Sequence, residues 1–408
     1  MPTISAGVPR IEKDPHGGDV VIVPVRPYAK DMDRCTRCGK HVRPYDRLGV
    51  RRWRHLDIGC ARLMLEYAPP RVTCADHGVT VAMMPWARRK STYTRDFEQQ
   101  TALLNVHAPR SAVSRLMRMD WKSVGPVCRR VADDLRAEQG PGLFDGPRSI
   151  GVDETSHRKG HTYITVVVDH ERHRVIWAHD GVGGDVFDLF FKALTPEQHA
   201  SIRVVTGDGA RWIDPCVGRW RPNAERVLDG FHIVSWMTDA LDKVRKRLWN
   251  QARRDGDEKT TKRMRGVKYA VLKNPGDLTD RQSEAFGNLR NTGPKGQLYR
   301  SWQLKELLRT LLKHPLEQAR GELRHWVFRA SHSRIPEIVE PAKKIRRRRP
   351  DILRTIQLGY SNARLEAFNN RIKVTIRMAY GFHRVTNLIA LIMLRCGGLD
   401  IRLPQPTI

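Results

Sequence analysis

Long apolar runs are missing from this chain. The best of them, Leu388–Leu394, is far too short to cross a bilayer, so no membrane-spanning role is expected. Residues 1–14 lack the apolar centre of a secretory leader. Cysteine is scarce: the seven present are odd in number and unevenly spaced, which argues against a secreted disulfide framework. Acid is short as well, with 44 aspartates and glutamates against 73 lysines and arginines, a formal charge of +29. A chain this basic repels itself unless it works against a polyanion, and nucleic acid is the commonest one. What is present is ample for packed cores: 40% of the 408 residues are hydrophobic, and the length exceeds one ordinary domain. Composition therefore predicts a cytoplasmic protein of several domains that binds nucleic acid.

Residues 1–30 read as irregular, because Pro9, Pro15, Gly17, Gly18, Pro24 and Pro27 surround and interrupt the apolar run Val20–Val25. Next stands Cys35-Thr-Arg-Cys38-Gly, and further on Cys74-Ala-Asp-His77-Gly. Two ligands separated by two residues and followed by glycine form a knuckle that offers both to one tetrahedral Zn2+. The basic, strand-like text between the knuckles, Val50–Arg54, suits a zinc ribbon within residues 1–92. His41, His55 and Cys60 compete with His77 for the fourth position. A redox role for the CxxC would need a βαβ context that the sequence lacks.

Residues 93–140 carry apolar positions at mixed three- and four-residue steps, the mark of helices. Ser111–Val131 has the cadence of a helix-turn-helix with its turn near Met119-Asp120. Lys122, Ser123, Arg129 and Arg130 would then meet phosphates or base edges of double-stranded DNA. A plain helical hairpin with a solvated basic face is the alternative. Gly125-Pro126 suits a recognition helix only if the helix begins there. Gly140–Pro147 reads as a linker.

Strands and helices alternate from 148 to 249. Ser149–Val152 reads as a strand closed by Asp153, and Thr162–Asp169 and Arg174–His179 as a hairpin around His170–His173. A helix over Asp185–Leu194, a strand over Ser201–Thr206 closed by Asp208, and a short strand at Val227–Asp229 before a long helix follow. This is the order of the ribonuclease-H-like fold, a mixed α/β sheet. Residues 250–345 read as an all-helical insertion, ending in the basic run Lys343–Arg349, which is either a solvated linker or a phosphate contact. Residues 346–408 return to the core with a helix over Ser361–Arg377. On it Leu365, Phe368, Ile372, Ile376 and Ala379 form the buried stripe; Glu366, Lys373 and Arg377 lie on a neighbouring face, the cations toward DNA.

In such a sheet the strands ending at Asp153 and Asp208 are neighbours, and Glu366 would close the set. Three hard oxygen ligands with open positions suit Mg2+ or Mn2+, and two such ions would serve an in-line displacement at phosphorus. Singly, each acid also has a bland reading as a strand-end cap, a turn residue or a surface acid. Glu154, beside Asp153 on an extended chain, points to the other face.

Gly151-Val-Asp153-Glu-Thr, Thr206-Gly-Asp208, Asp229-Gly-Phe-His232 and Ser361-Asn-x3-Glu366-x2-Asn369-x2-Ile-Lys373 followed by Ala379-Tyr-Gly381 resemble bacterial DDE transposases of the insertion sequence L3 type. The resemblance spans about residues 35–400. It implies a zinc ribbon, a helix-turn-helix and a ribonuclease-H-like core split by a helical insertion, with Asp153, Asp208 and Glu366 as the catalytic triad. It also implies a supporting role for Asp229 and His232 near the scissile phosphate. The implied partners are terminal inverted repeats and target DNA at the bacterial nucleoid, engaged by a homodimer or larger assembly. Two departures stand out: His77 replaces a common cysteine, and Gly207-Asp208-Gly209 is plainer than the family's text. A DNA-binding regulator without cleavage activity and a junction-resolving nuclease are the rival readings.

Overall fold

A computed structural model describes residues 4–14, 17–158, 160, 162–290, 296–359, 363–378, 382 and 384–403. Its centre is a five-stranded sheet made of Ser149–Arg158 (β1), Thr162–Asp169 (β2), Arg174–Asp180 (β3), Val204–Gly207 (β4) and Glu225–Leu228 (β5), in the order β3-β2-β1-β4-β5. The pairs β1–β2 and β2–β3 are antiparallel, while β4 runs parallel to both β1 and β5.

Alternation along these strands explains the layers. Val166 and Val168 point to one face and Val167 to the other, as a period of two requires. On the second face, Ile150, Val152, Ile176 and Val205 pack under Phe187, Phe190 and Phe191 of helix Gly184–Lys192 and under Ile213 and Val217 of helix Ile213–Trp220. The first face is covered by helices from both sides of the sheet in sequence. They are Arg95–His107 (α1) and Trp121–Gln139 (α3) before it, then Ala363–Met378 and Val385–Cys396 after it. A Cβ on Gly125 of α3 would lie 2.6 Å from Asn387 Nδ2, so the glycine lets α3 and the last helix approach closely.

Three features differ from the sequence expectation. Strand β1 does not stop at Asp153 but continues to Arg158 against β2; only its pairing with β4 ends at Val152. Residues 155–158 are polar and carry no apolar alternation, so the hairpin extension left no pattern to read. Helix α3 starts at Trp121, directly after the turn expected near Met119-Asp120 and with Asp120 as its N-cap, but it runs on through Gly125 and Pro126, a pair expected to suit this helix only at its start. The amino-terminal stretch is not irregular: Asp19–Pro27 forms a strand parallel to Ala61–Tyr67, and Pro24 supplies its carbonyl to Gly7 N–H at 2.7 Å.

The run Leu388–Leu394 lies in the core helix Val385–Cys396, and no helix of the described residues is long and apolar enough to cross a membrane. Helices alone occupy the described residues between Gly230 and Leu358. Their common core takes Ile233, Met237, Leu241 and Val244 from the long helix Gly230–Arg254, with Leu304, Leu308, Trp326, Ile338 and Ile345 from later ones. Leu228, the last residue of β5, joins this core and ties the helical block to the sheet edge.

Candidate active site and DNA-binding elements

The register of the three parallel strands sets the site. Val152 pairs with Gly207, and Gly207 with Leu228. The next residue on each strand is an acid: Asp153, Asp208 and Asp229 therefore stand level across three strands whose spacing is about 4.8 Å. Asp229 N–H donates to the Gly207 carbonyl at 3.1 Å, which carries the alignment one step past the ladder. The Asp208 carboxylate is turned by the Ala210 N–H, which donates to Oδ1 at 2.9 Å. Asp153 Oδ1 accepts from Glu154 N–H at 2.8 Å.

Asp229 is buried and caps the helix Gly230–Arg254, accepting from Phe231 N–H at 2.8 Å, while His232 Nε2 lies 3.6 Å from its other oxygen. Asp229 thus has a structural task whatever else it does. Glu154 shares the face of Ile150 and Val152, opposite to Asp153. Even so, its carboxyl group is pushed up to about 6, by burial first and then by the charges of Asp208 and Asp153. Its Oε1 is buried without a hydrogen-bond partner. So many acids in one place, within a strongly basic chain, are costly to hold ionised unless a cation joins them. Hard carboxylate oxygens suit Mg2+ or Mn2+.

Helix Ala363–Met378 packs against β1 through the same core that includes Phe368 and Ile372. Glu366 lies in this helix, but its side chain falls outside the described residues, as do those of Leu365 and Asn369 and all of Ser361 and Ala379–Gly381. Lys373 and Arg377 are exposed on the helix.

Near the amino terminus, Cys35, Cys38, Cys74 and His77 present their ligand atoms within 4.8 Å of one another. Cys38 Sγ and Cys74 Sγ are 3.7 Å apart; His77 Nδ1 is 3.5 Å from Cys74 Sγ and 3.7 Å from Cys35 Sγ. Tetrahedral bonds of about 2.0–2.3 Å give edges of roughly this length. Burial pushes the Cys35 thiol up, but the N–H groups of Cys38 and Arg37 and the neighbouring thiols bring it down to about 6. His55 instead bonds Thr94 Oγ1 at 2.8 Å, and Cys60 is exposed outside this cluster.

Helices Arg110–Leu116 (α2) and α3 form the helix-turn-helix, and Val124, Val127, Cys128 and Val131 bury the inner face of α3. Of the four expected DNA contacts, Lys122 is exposed at the start of α3, and Ser123 and Arg129 are partly exposed. Arg130 is engaged elsewhere, in an ion pair with the fully buried Glu98, which also receives Arg88 Nη1 at 2.9 Å and Ser91 Oγ at 2.7 Å. A buried acid in α1 was not apparent from sequence, because Glu98 occupies the first turn of a helix where acids are common anyway.

Known proteins share these segments. The ISL3 DDE model, described as "Transposase", matches residues 150–392. The model described as "Helix-turn-helix domain of transposase family ISL3" matches residues 82–132. The transposase for insertion sequence element IS1557 of Mycobacterium tuberculosis is 39% identical over 414 aligned residues, covering 96% of this chain and 92% of that protein. The transposase for insertion sequence element IS1001 of Bordetella parapertussis is 27% identical over 379, covering 92% and 91%.

Proposed function

The chain belongs to the ISL3 family of transposases, and from that premise we propose that it binds the terminal inverted repeats of an insertion sequence, cleaves DNA there and joins the freed 3′-hydroxyl to target DNA. The observation that carries the reading is the level placement of Asp153 and Asp208 on adjacent parallel strands. The strand order β3-β2-β1-β4-β5 supports a ribonuclease-H-like core over residues 148–249 and 346–408, with the helical block 250–345 inserted in it.

Asp153, Asp208 and Glu366 would hold two magnesium or manganese ions. When bound, such ions lower the pKa of an attacking water or hydroxyl and offset charge on the leaving oxygen. The protein's own part is to fix the carboxylates: Gly207 brings β4 close to β1, and Ala210 N–H turns Asp208. Asp229 holds the first turn of its helix, which keeps His232 beside the row. Zn2+ at Cys35, Cys38, Cys74 and His77 would staple the ribbon in residues 1–92, and residues 93–140 would read the repeat through Lys122, Ser123 and Arg129. Lys373 and Arg377 would contact DNA beside the acids. Two ends must be paired, so the acting form is a homodimer or larger, at the bacterial nucleoid.

The test is Asp153→Asn in the full chain. Magnesium-dependent cleavage and strand transfer should both vanish while gel-shift binding to the repeat persists. Retained cleavage would overturn the reading.

A further inference from the structure

Just past Asp208 the chain runs under the end of another element. Helix Pro336–Arg347 of the helical block brings Lys344 to this point, its ammonium 3.6 Å from the ring centroid of Trp236. A Cβ on Gly209 would lie 2.7 Å from Trp236 Cζ2 and 3.5 Å from Lys344 Cε, so the glycine is the floor on which both side chains rest. Burial lowers the Lys344 pKa; Asp208 opposes that shift, and Arg348, Arg347 and Arg211 add to it. Two adjoining hollows share Arg211, Lys344 and Arg347, and together make one open groove leading away from Asp208.

Most acids in the groove are already matched. Asp214 pairs with Arg226 at 3.1 Å and with Arg348. Asp351 pairs with Arg348 at 3.2 Å, Glu337 with Arg247 at 2.6 Å and Glu340 with Lys343 at 2.9 Å. Asp239 remains, exposed at the far end. Arg211, Lys344 and Arg347 make no ion pair among the described residues, although they crowd one another. Three cations held together without carboxylate partners fit a ligand that brings closely spaced negative charges of its own. A cation resting on an indole is also held in one place rather than swept through solvent.

We propose that this groove carries the sugar-phosphate backbone of the DNA flanking the scissile position, with Arg211, Lys344 and Arg347 on successive phosphates and Trp236 aiming Lys344 at the end of β4. The proposal rests on the reading of Asp153 and Asp208 as the cutting site, and it gives the helical block a direct part in holding substrate.

The experiment compares full-length wild type, Lys344→Ala/Arg347→Ala, Lys344→Arg and Asp208→Asn on a duplex bearing the element's end. Affinity is measured by fluorescence anisotropy across a salt series without magnesium, and cleavage is followed with magnesium. Each lost phosphate contact should flatten the slope of log affinity against log salt by about 0.9, so the double variant should lose about 2. Its KM for cleavage should rise more than tenfold with kcat nearly kept, and Lys344→Arg should restore the slope. Unchanged slope and KM in the double variant would overturn the groove. So would a change confined to self-association in sedimentation, which would mark the face as a contact between copies of the chain. Cleavage surviving in Asp208→Asn would instead remove the underlying site reading, while the salt slopes would still report separately on the groove.

Discussion

Gly207 lies level with Val152 on the adjacent parallel strand, so near that a Cβ built on it would be 3.0 Å from Val152 Cγ1 and 3.1 Å from the Val152 carbonyl oxygen. The side-chain methyl could turn aside; the backbone oxygen cannot. Gly207→Ala should therefore part the two strands at the step before their acids. Overpacking of this kind costs about 1–3 kcal/mol. Thermal melting should fall by several degrees and magnesium-dependent cleavage should drop, with repeat binding kept. A variant that melts and cleaves like wild type would mean that the strand spacing does not set the carboxylates.

The Cys35, Cys38, Cys74 and His77 cluster should carry one zinc ion per chain in elemental analysis, and Cys38→Ser should lower this to near zero. Because ligands brought together by folding make metal binding part of the folding free energy, loss of zinc should expose residues 30–80 to limited proteolysis while the central sheet resists. Full zinc content in Cys38→Ser would dismiss this ligand set.

Glu98 is fully buried between Arg88 and Arg130. Removing it leaves Arg130 without its acid and Arg88 with Asp134 alone, and breaking a buried ion pair in this way costs about 3–5 kcal/mol. Glu98→Ala should be much less stable in urea melts. Arg130→Ala should lose stability as well, whereas Lys122→Ala should weaken repeat binding with no change in melting. Equal stability of Arg130→Ala and wild type would return Arg130 to the DNA-facing set.

Burial lowers the pKa of His55 and of His199 below the ordinary 6.5. The unfolded chain then takes up protons at a pH where the folded one does not. Stability from this source is complete above pH 6.5 and is lost as pH falls from there through the lowered folded values. His55→Gln should flatten part of the stability loss as pH falls below 6.5 in denaturant melts; an unchanged slope would exclude His55 as a contributor.

The sequence carried most of the central sheet. Apolar runs on either side of the polar His170–His173 marked β2 and β3, and the acids at 153, 208 and 229 each followed a short apolar run. Other parts were hidden for physical reasons. Thr155–Arg158 extends β1 through hairpin pairing alone, without an apolar face. Prolines masked the strand Asp19–Pro27, where backbone pairing does not require every N–H. Gly125-Pro126 looked like a helix boundary because the partner that favours a glycine there, Asn387, is far away in sequence. Lys344 beside Asp208 could not be read at all, since only the packing of the helical block brings them together.

The shared core of α1, α3 and Val385–Cys396 bears on how the protein is made. Synthesis delivers the helix-turn-helix well before the helix that seats against its Gly125 face, because the central sheet and the helical block lie between them in sequence. A chain released before Val385 would carry a DNA reader whose inner face, including Val124 and Cys128, has lost a wall. On the proposed reading, repeat binding would then wait on synthesis of Val385–Cys396, and products that end before it should compete poorly for DNA ends.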